Sequence, residues 1–291
     1  MYERILLALD AGRVASAAVP VVAELAGRSD TEVLVVHVRD IERELRTRYE
    51  AEQLVERTVG RLRALGVRAR GEVRTIVRGD VARTLLQSAA WFDADMVVLG
   101  SHGRSELGGL LLGSVGQRVA AGTGAAVMLV HGEPERASRR WRRRLCRVLL
   151  AVDHGERAEA AVQAALGLCR EHRAAVTVVH VHSVFESPGY ARRYVASIAD
   201  RFAGAGVDAR AESLAAALPG VPVQIAEAAE RANADVIVIG SRRRGELAAI
   251  LLGSVARELV RLTTRPVLMA DVPAPADEPA GGPPAVPQEV R

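Results

Sequence analysis

The sequence contains no lysine; all 39 basic residues among its 291 are arginine. That absence excludes a phosphate loop of the Gly-x-x-x-x-Gly-Lys-Ser/Thr type, Schiff-base chemistry on lysine, and the lysine of a protein-kinase site. Cysteine is scarce: Cys146 and Cys169 make neither a Cys-x-x-Cys pair nor a disulfide framework, which suits a reducing cytoplasm. Aromatic residues are only 3% of the chain, so the core has to be built from Ala, Val, Leu and Ile. No apolar run reaches the roughly 18 residues of a membrane span, and the N-terminus lacks a signal-peptide pattern. The expectation is a cytoplasmic protein with no membrane partner. A net charge of +4 does not by itself imply nucleic acid.

What is present fits a globular α/β protein, with 49% hydrophobic and 25% charged residues. The length allows one large domain or two ordinary ones. Ile5 to Leu9 reads as an apolar strand ending on Asp10, and Val14 to Ala26 carries apolar residues at helical spacing up to Gly27. A second strand, Val33 to Val38, is followed by a charged helix over Glu42 to Leu65, closed by Gly66. A half-exposed strand over Ala69 to Val77 leads to Asp80, a cap for a helix running to about Trp91. Met96 to Leu99 is a short, wholly apolar strand of the type buried in a parallel sheet, and Ala125 to Val130 is the last of the series. Strands alternating with helices predict a parallel layered structure.

The pattern then repeats. Ile5-Leu-Leu-Ala-Leu-Asp10 returns as Val148-Leu-Leu-Ala-Val-Asp153, and Val33-Leu-Val-Val-His-Val38 as Val176-Thr-Val-Val-His-Val181. Asp95-Met-Val-Val-Leu-Gly-Ser101 returns as Asp235-Val-Ile-Val-Ile-Gly-Ser241, and Leu111-Leu-Gly-Ser-Val115 as Leu251-Leu-Gly-Ser-Val255. The offset is 143 residues in the early strands and 140 in the late elements, so the copies differ only by small loop changes. This is a tandem duplication.

The stretch with most chemistry in it runs from Asp95 to Gly116. Gly100 ends a strand, Gly103 follows it, and Gly113-Ser114 opens the next helix. Glycine lets another molecule approach the backbone, Ser114 suits an N-cap, and a helix N-terminus suits a phosphate. The same glycines could merely end a strand and cap a helix. Likewise Asp10 could only start a turn, although its repetition as Asp153 favours a ligand role. His37 and His180, inside apolar strands, read as core or supporting residues rather than catalysts, while His102 could reach a phosphate or simply face solvent.

Asp10, the Val-His-Val of the second strand and Gly100-x2-Gly103-x9-Gly113-Ser114 together resemble the universal stress protein family, and the duplication resembles its tandem-domain members. The resemblance implies two doubly wound domains, each a five-stranded parallel sheet of order 3-2-1-4-5 with helices on both faces. It implies a first domain over 1–131 and a second over 146–271; composition reads 132–145 between them as an arginine-rich linker and 272–291 as a disordered Pro/Ala-rich tail. It also implies ATP, or another adenine nucleotide, as ligand, which Mg²⁺ could accompany. By resemblance Ala8, Asp10 and Val38 hold the adenine and ribose, Leu99, Gly100 and Gly103 line the site, and Gly113, Ser114, Val115 and Gly116 hold phosphates. In such sheets ligands sit beyond the strand carboxyl ends where the order reverses, here between the first and fourth strands.

The second copy departs from this pattern. Its counterparts are Asp153, Val181, Gly240, Gly253, Ser254 and Val255, but Arg243 stands where the first copy has Gly103. The expectation is nucleotide binding in the first domain and a degenerate motif in the second. Function is then read as a stress-response regulatory module binding an adenine nucleotide. The alternatives are a slow ATPase or self-phosphorylating enzyme using the same loop, or nucleic-acid or partner binding through the six arginines around Trp141. A solvated linker is the plainer reading of those arginines. No hydrolytic apparatus is evident in the sequence. Electron-transfer flavoprotein-like and nucleotide hydrolase-like proteins share such a sheet. The final strands of the two copies are expected to pair with each other within the chain, and a homodimer stays open.

Overall fold

Strands that are apolar at every position have to be covered on both faces, and in this chain they lie at the middle of each sheet half. The computed structural model describes residues 2–10, 14–27, 30–42, 46–100, 113–130, 144–216, 220–240 and 253–270. The first half contains β1 (Arg4–Leu9), α1 (Val14–Ala26), β2 (Glu32–Asp40), α2 (Arg48–Ala64), β3 (Arg68–Ile76), α3 (Val81–Phe92), β4 (Met96–Gly100), α4 (Ser114–Gly122) and β5 (Ala126–Val130). The second repeats it with β6 (Arg147–Ala151), α5 (Glu156–His172), β7 (Ala175–His182), α6 (Pro188–Gly204), β8 (Ala209–Ala215), α7 (Val221–Arg231), β9 (Val236–Gly240), α8 (Ser254–Leu262) and β10 (Val267–Ala270).

The strands form one ten-stranded sheet of order β3-β2-β1-β4-β5-β10-β9-β6-β7-β8. Each half therefore has the 3-2-1-4-5 order, with parallel pairing throughout. The halves meet at β5 and β10, which run antiparallel in the register Val267↔Leu129, Leu268↔Met128, Met269↔Val127. Two edges that would each need covering thus cover one another.

Alternation along the strands divides the core into two layers. Ile5, Leu7, Val33 and Val35 face the layer shared with α1, α2, α5 and α6. Leu6, Leu34, Val36 and Val38 face the layer shared with α3, α4, α7 and α8. The outer strands β3 and β8 are mostly half-buried or exposed, and Arg70 of β3 pairs with Glu32 of β2 at 2.8 Å. Gly71 of β3 has a packing reason: a Cβ there would stand 2.2 Å from Cγ1 of Val55 and 3.0 Å from Cγ2 of Val59, so the glycine admits α2 onto the edge strand.

One anchor repeats in both halves. The Asp95 carboxylate accepts the amides of Glu3 (2.6 Å) and Arg4 (3.2 Å), tying the start of β4 to that of β1. Asp235 accepts those of Cys146 and Arg147, both at 2.9 Å. The aspartate of the repeated Asp-x-Val/Ile-Val strand thus serves the sheet at the end away from the glycine turn.

The charged helix expected over Glu42 to Leu65 is shorter, Arg48–Ala64. It begins at a capping box: the Thr47 hydroxyl accepts the Glu50 amide (3.2 Å), and the Glu50 carboxylate accepts the Thr47 amide (2.7 Å). Asp80 caps α3 as expected, accepting the Arg83 amide at 3.2 Å. Both cysteines are free; Cys146 is exposed, and burial pushes the Cys169 thiol up to about 12.

Candidate functional site

The reversal of strand order in the first half lies between β1 and β4. Ala8 near the end of β1 pairs in register with Leu99 of β4 and Val36 of β2. Ala8, Val38 and Leu99 all belong to the layer beneath α3 and α4, and Val115 in the first turn of α4 packs against that same layer. Residues far apart in the chain are therefore gathered at one place, the carboxyl ends of β1, β2 and β4 facing the start of α4. Asp10 directly follows β1 and Gly100 ends β4, both half-buried.

The N-terminus of α4 differs from expectation by one residue. Gly113 takes the cap position and Ser114 is the first helical residue, exposed, so its hydroxyl is not the cap. The first intrahelical bond runs from the Gln117 amide to the Gly113 carbonyl at 3.0 Å. The amides of Ser114, Val115 and Gly116 therefore stand ahead of the helical ladder, at the positive end of the helix dipole. In the second half Gly253 caps α8 and Ser254 is likewise exposed, with Val255 against the core and Gly240 closing β9. Gly103 and Arg243 lie outside the described residues, as do His102, most of the linker (131–143) and the segment from 271 onward.

The two histidines of the Val-His-Val strands face the opposite layer. His37 is buried, with Nδ1 3.0 Å from the Leu9 carbonyl, the supporting role expected of it. His180 repeats that bond, Nδ1 to the Val152 carbonyl at 2.9 Å. It does more than its counterpart. Its Nε2 lies 3.2 and 3.1 Å from the two Glu186 oxygens, and His154 Nε2 lies 2.9 Å from Oε1 of the same carboxylate. Burial pushes the Glu186 carboxyl up, but the bonds from His154 and His180 outweigh it and hold the group below the usual carboxylate range. Tyr194 stacks beside both rings, at 4.4 Å from His154 and 5.4 Å from His180, and its hydroxyl donates to the Asp153 carbonyl at 2.7 Å. The sequence reading did not single out His154, Glu186 or Tyr194. The signal was present in the pairing of β6 with β7, which brings the turn after β6 to the histidine of β7, and in the six-residue span from His180 to Glu186.

A model of the universal stress protein family matches residues 1–131 and again 146–271. The chain belongs to the universal stress protein family. Among curated members, universal stress protein Rv2005c of Mycobacterium tuberculosis is 30% identical over 201 residues, covering 61% of this chain and 62% of that relative. A universal stress protein of Thermus aquaticus is 32% identical over 140 residues, 45% of this chain and 99% of that shorter protein. Among solved structures, a universal stress protein from Archaeoglobus fulgidus superposes with a TM-score of 0.74 at 19% identity, covering 92% of this chain and 98% of that one. That likeness concerns the fold alone, and the two family matches coincide with the two halves of this chain's ten-stranded sheet.

Proposed function

We propose that residues 1–131 bind an adenine nucleotide, ATP foremost, and that this universal stress protein works as a nucleotide-responsive module in a cytoplasmic setting. The observation that carries the reading is the convergence of Ala8, Val38 and Leu99 with the open first turn of α4 at the β1–β4 reversal. The donor chemistry fits the group. A side-chain-free cap at Gly113 and three amides ahead of the first helical bond suit phosphate oxygens, and the exposed Ser114 hydroxyl adds a donor. Ala8, Val38 and Leu99 offer small apolar surface to a purine, while the Asp10 carboxylate would accept from a ribose hydroxyl or the adenine amino group. The triphosphate supplies the charge that the helix terminus recognises; the chain's own residues bind and orient it. Gly103 is included by its place in the motif. Family membership supports the same ligand class.

The described helices include none long and apolar enough to cross a membrane, which is compatible with that setting. Native mass spectrometry of the full chain purified without added ligand tests the proposal. One adenine nucleotide per chain is expected, with occupancy reduced in Asp10→Ala and in Gly103→Arg, the latter copying the second half's residue. A chain that carries no nucleotide and takes up none when ATP is added overturns it. Steady phosphate release under the same conditions would mark the site as an ATPase rather than a sensor.

A further inference from the structure

We propose that His154, His180 and Glu186 form a binding site for one Zn²⁺ ion in the second half, built on the sheet face opposite the glycine-turn helix. One ligand atom from each of the three lies within 4.8 Å of the others. An ion with tetrahedral bonds of about 2.0–2.1 Å sets its ligand atoms about 3.3 Å apart. The separations of 2.9, 3.1 and 3.2 Å between the imidazole nitrogens and the carboxylate are near that edge length.

Hydrogen-bond accounting points the same way. His180 uses Nδ1–H on the Val152 carbonyl, so the neutral ring presents a lone pair at Nε2. That lone pair faces two carboxylate oxygens, which are also acceptors. Such a contact needs a cation between its partners: a proton on the ring, or a metal. A backbone carbonyl fixing the far nitrogen of a ligating histidine is the support that metal sites use to orient the ring. Tyr194 adds a second support, packed against both rings and held in place by its bond to the Asp153 carbonyl. Two imidazoles and a carboxylate suit zinc, and leave a fourth position for water. With His180 buried, Glu186 half-buried and His154 exposed, that position opens toward solvent on the His154 side.

The first half cannot make this site. At the offset of 143, Ala11 stands where His154 does, and Glu186 falls opposite an arginine at either offset, Arg43 or Arg46. Leu54 takes the place of Tyr194 against the same core layer. Only His37 is retained. The inference does not depend on nucleotide binding. The nucleotide region lies over the α3–α4 layer, whereas His180, Tyr194 and their neighbours lie over the α5–α6 layer. The duplicated unit thus carries a purine-directed site in one copy and an ion-directed one in the other.

The test is zinc titration of the tag-free full chain after chelator treatment, by calorimetry and by thermal unfolding, with Co²⁺ as a spectroscopic substitute. One Zn²⁺ per chain is expected, with a raised Tm and the visible absorption of four-coordinate cobalt. His154→Ala and Glu186→Gln should each weaken binding about tenfold or more and remove the Tm increase, while His37→Gln leaves binding unchanged. His154 is exposed, so its variant should melt like wild type in the presence of chelator, which separates lost binding from lost folding. No zinc uptake by the wild-type chain, or equal uptake by His154→Ala, overturns the proposal; in that case a shared proton is what holds the three groups together.

Discussion

Leu268 of β10 faces Met128 of β5 across the antiparallel pair that joins the two halves, and both side chains are fully buried. The pairing makes two copies of a duplicated unit into one sheet, and each core layer contains residues from both copies. The first prediction concerns this seam. Leu268→Ala should lower stability by about 2–5 kcal/mol, the usual cost of a buried leucine truncation. Chemical denaturation followed by circular dichroism should still show one transition. Two separated transitions in the wild-type chain would contradict a shared core.

Gly71 sets how closely α2 approaches the edge strand β3. Gly71→Ala should destabilise the chain by about 1–3 kcal/mol, because the new methyl overlaps Val55, whose β-branched side chain has little freedom to move. The check is a double-mutant cycle with Val55→Ala in urea denaturation. The two changes should cost less together than the sum of their separate costs. Strict additivity would mean that Val55 is not what the methyl meets.

Arg201 of α6 grips Glu159 of α5 with two bonds of 2.8 and 2.7 Å. The bonds from Arg201, then that from Gln163, hold the Glu159 carboxyl down to about 2 from its ordinary 4.5. A carboxylate whose pKa falls on folding adds stability above its unfolded value and loses it as pH falls through the folded one. Both side chains are roughly half exposed, so screening limits the pair to about 1 kcal/mol. Arg201→Gln should therefore be less stable at pH 7, with the gap to wild type closing between pH 4.5 and 2 in pH-resolved thermal melts. A gap unchanged down to pH 2 would assign the loss to packing rather than charge.

Much of this molecule is legible in its sequence because a buried parallel sheet leaves a strong mark. Met96 to Leu99 and Val33 to Val36 are uniformly apolar, since both faces are covered, and their repetition discloses the duplication. The strand order and the seam between β5 and β10 follow the expectation from the family resemblance. What was hidden depends on partners that no local pattern announces. Arg265 reads as a surface residue, yet it is buried, with its guanidinium held by Glu230 (2.6 and 3.0 Å) and the Ala234 carbonyl. The start of α2 was legible in Thr47-x-x-Glu50 and was displaced by the run of charges before it. His180 and Glu186 are six residues apart, but His154 comes from a separate stretch, and the adjacency of β6 and β7 is what brings it to them.

The central claim is that the chain binds one nucleotide through its first half, and calorimetric titration of the ligand-free full chain with ATP tests it most directly. The account predicts one site per chain, abolished or weakened at least about tenfold by Asp10→Ala, a loss of about 1.4 kcal/mol or more, and unaffected by Asp153→Ala. Equal sensitivity to the two substitutions, a stoichiometry of two, or no heat of binding at all would contradict it.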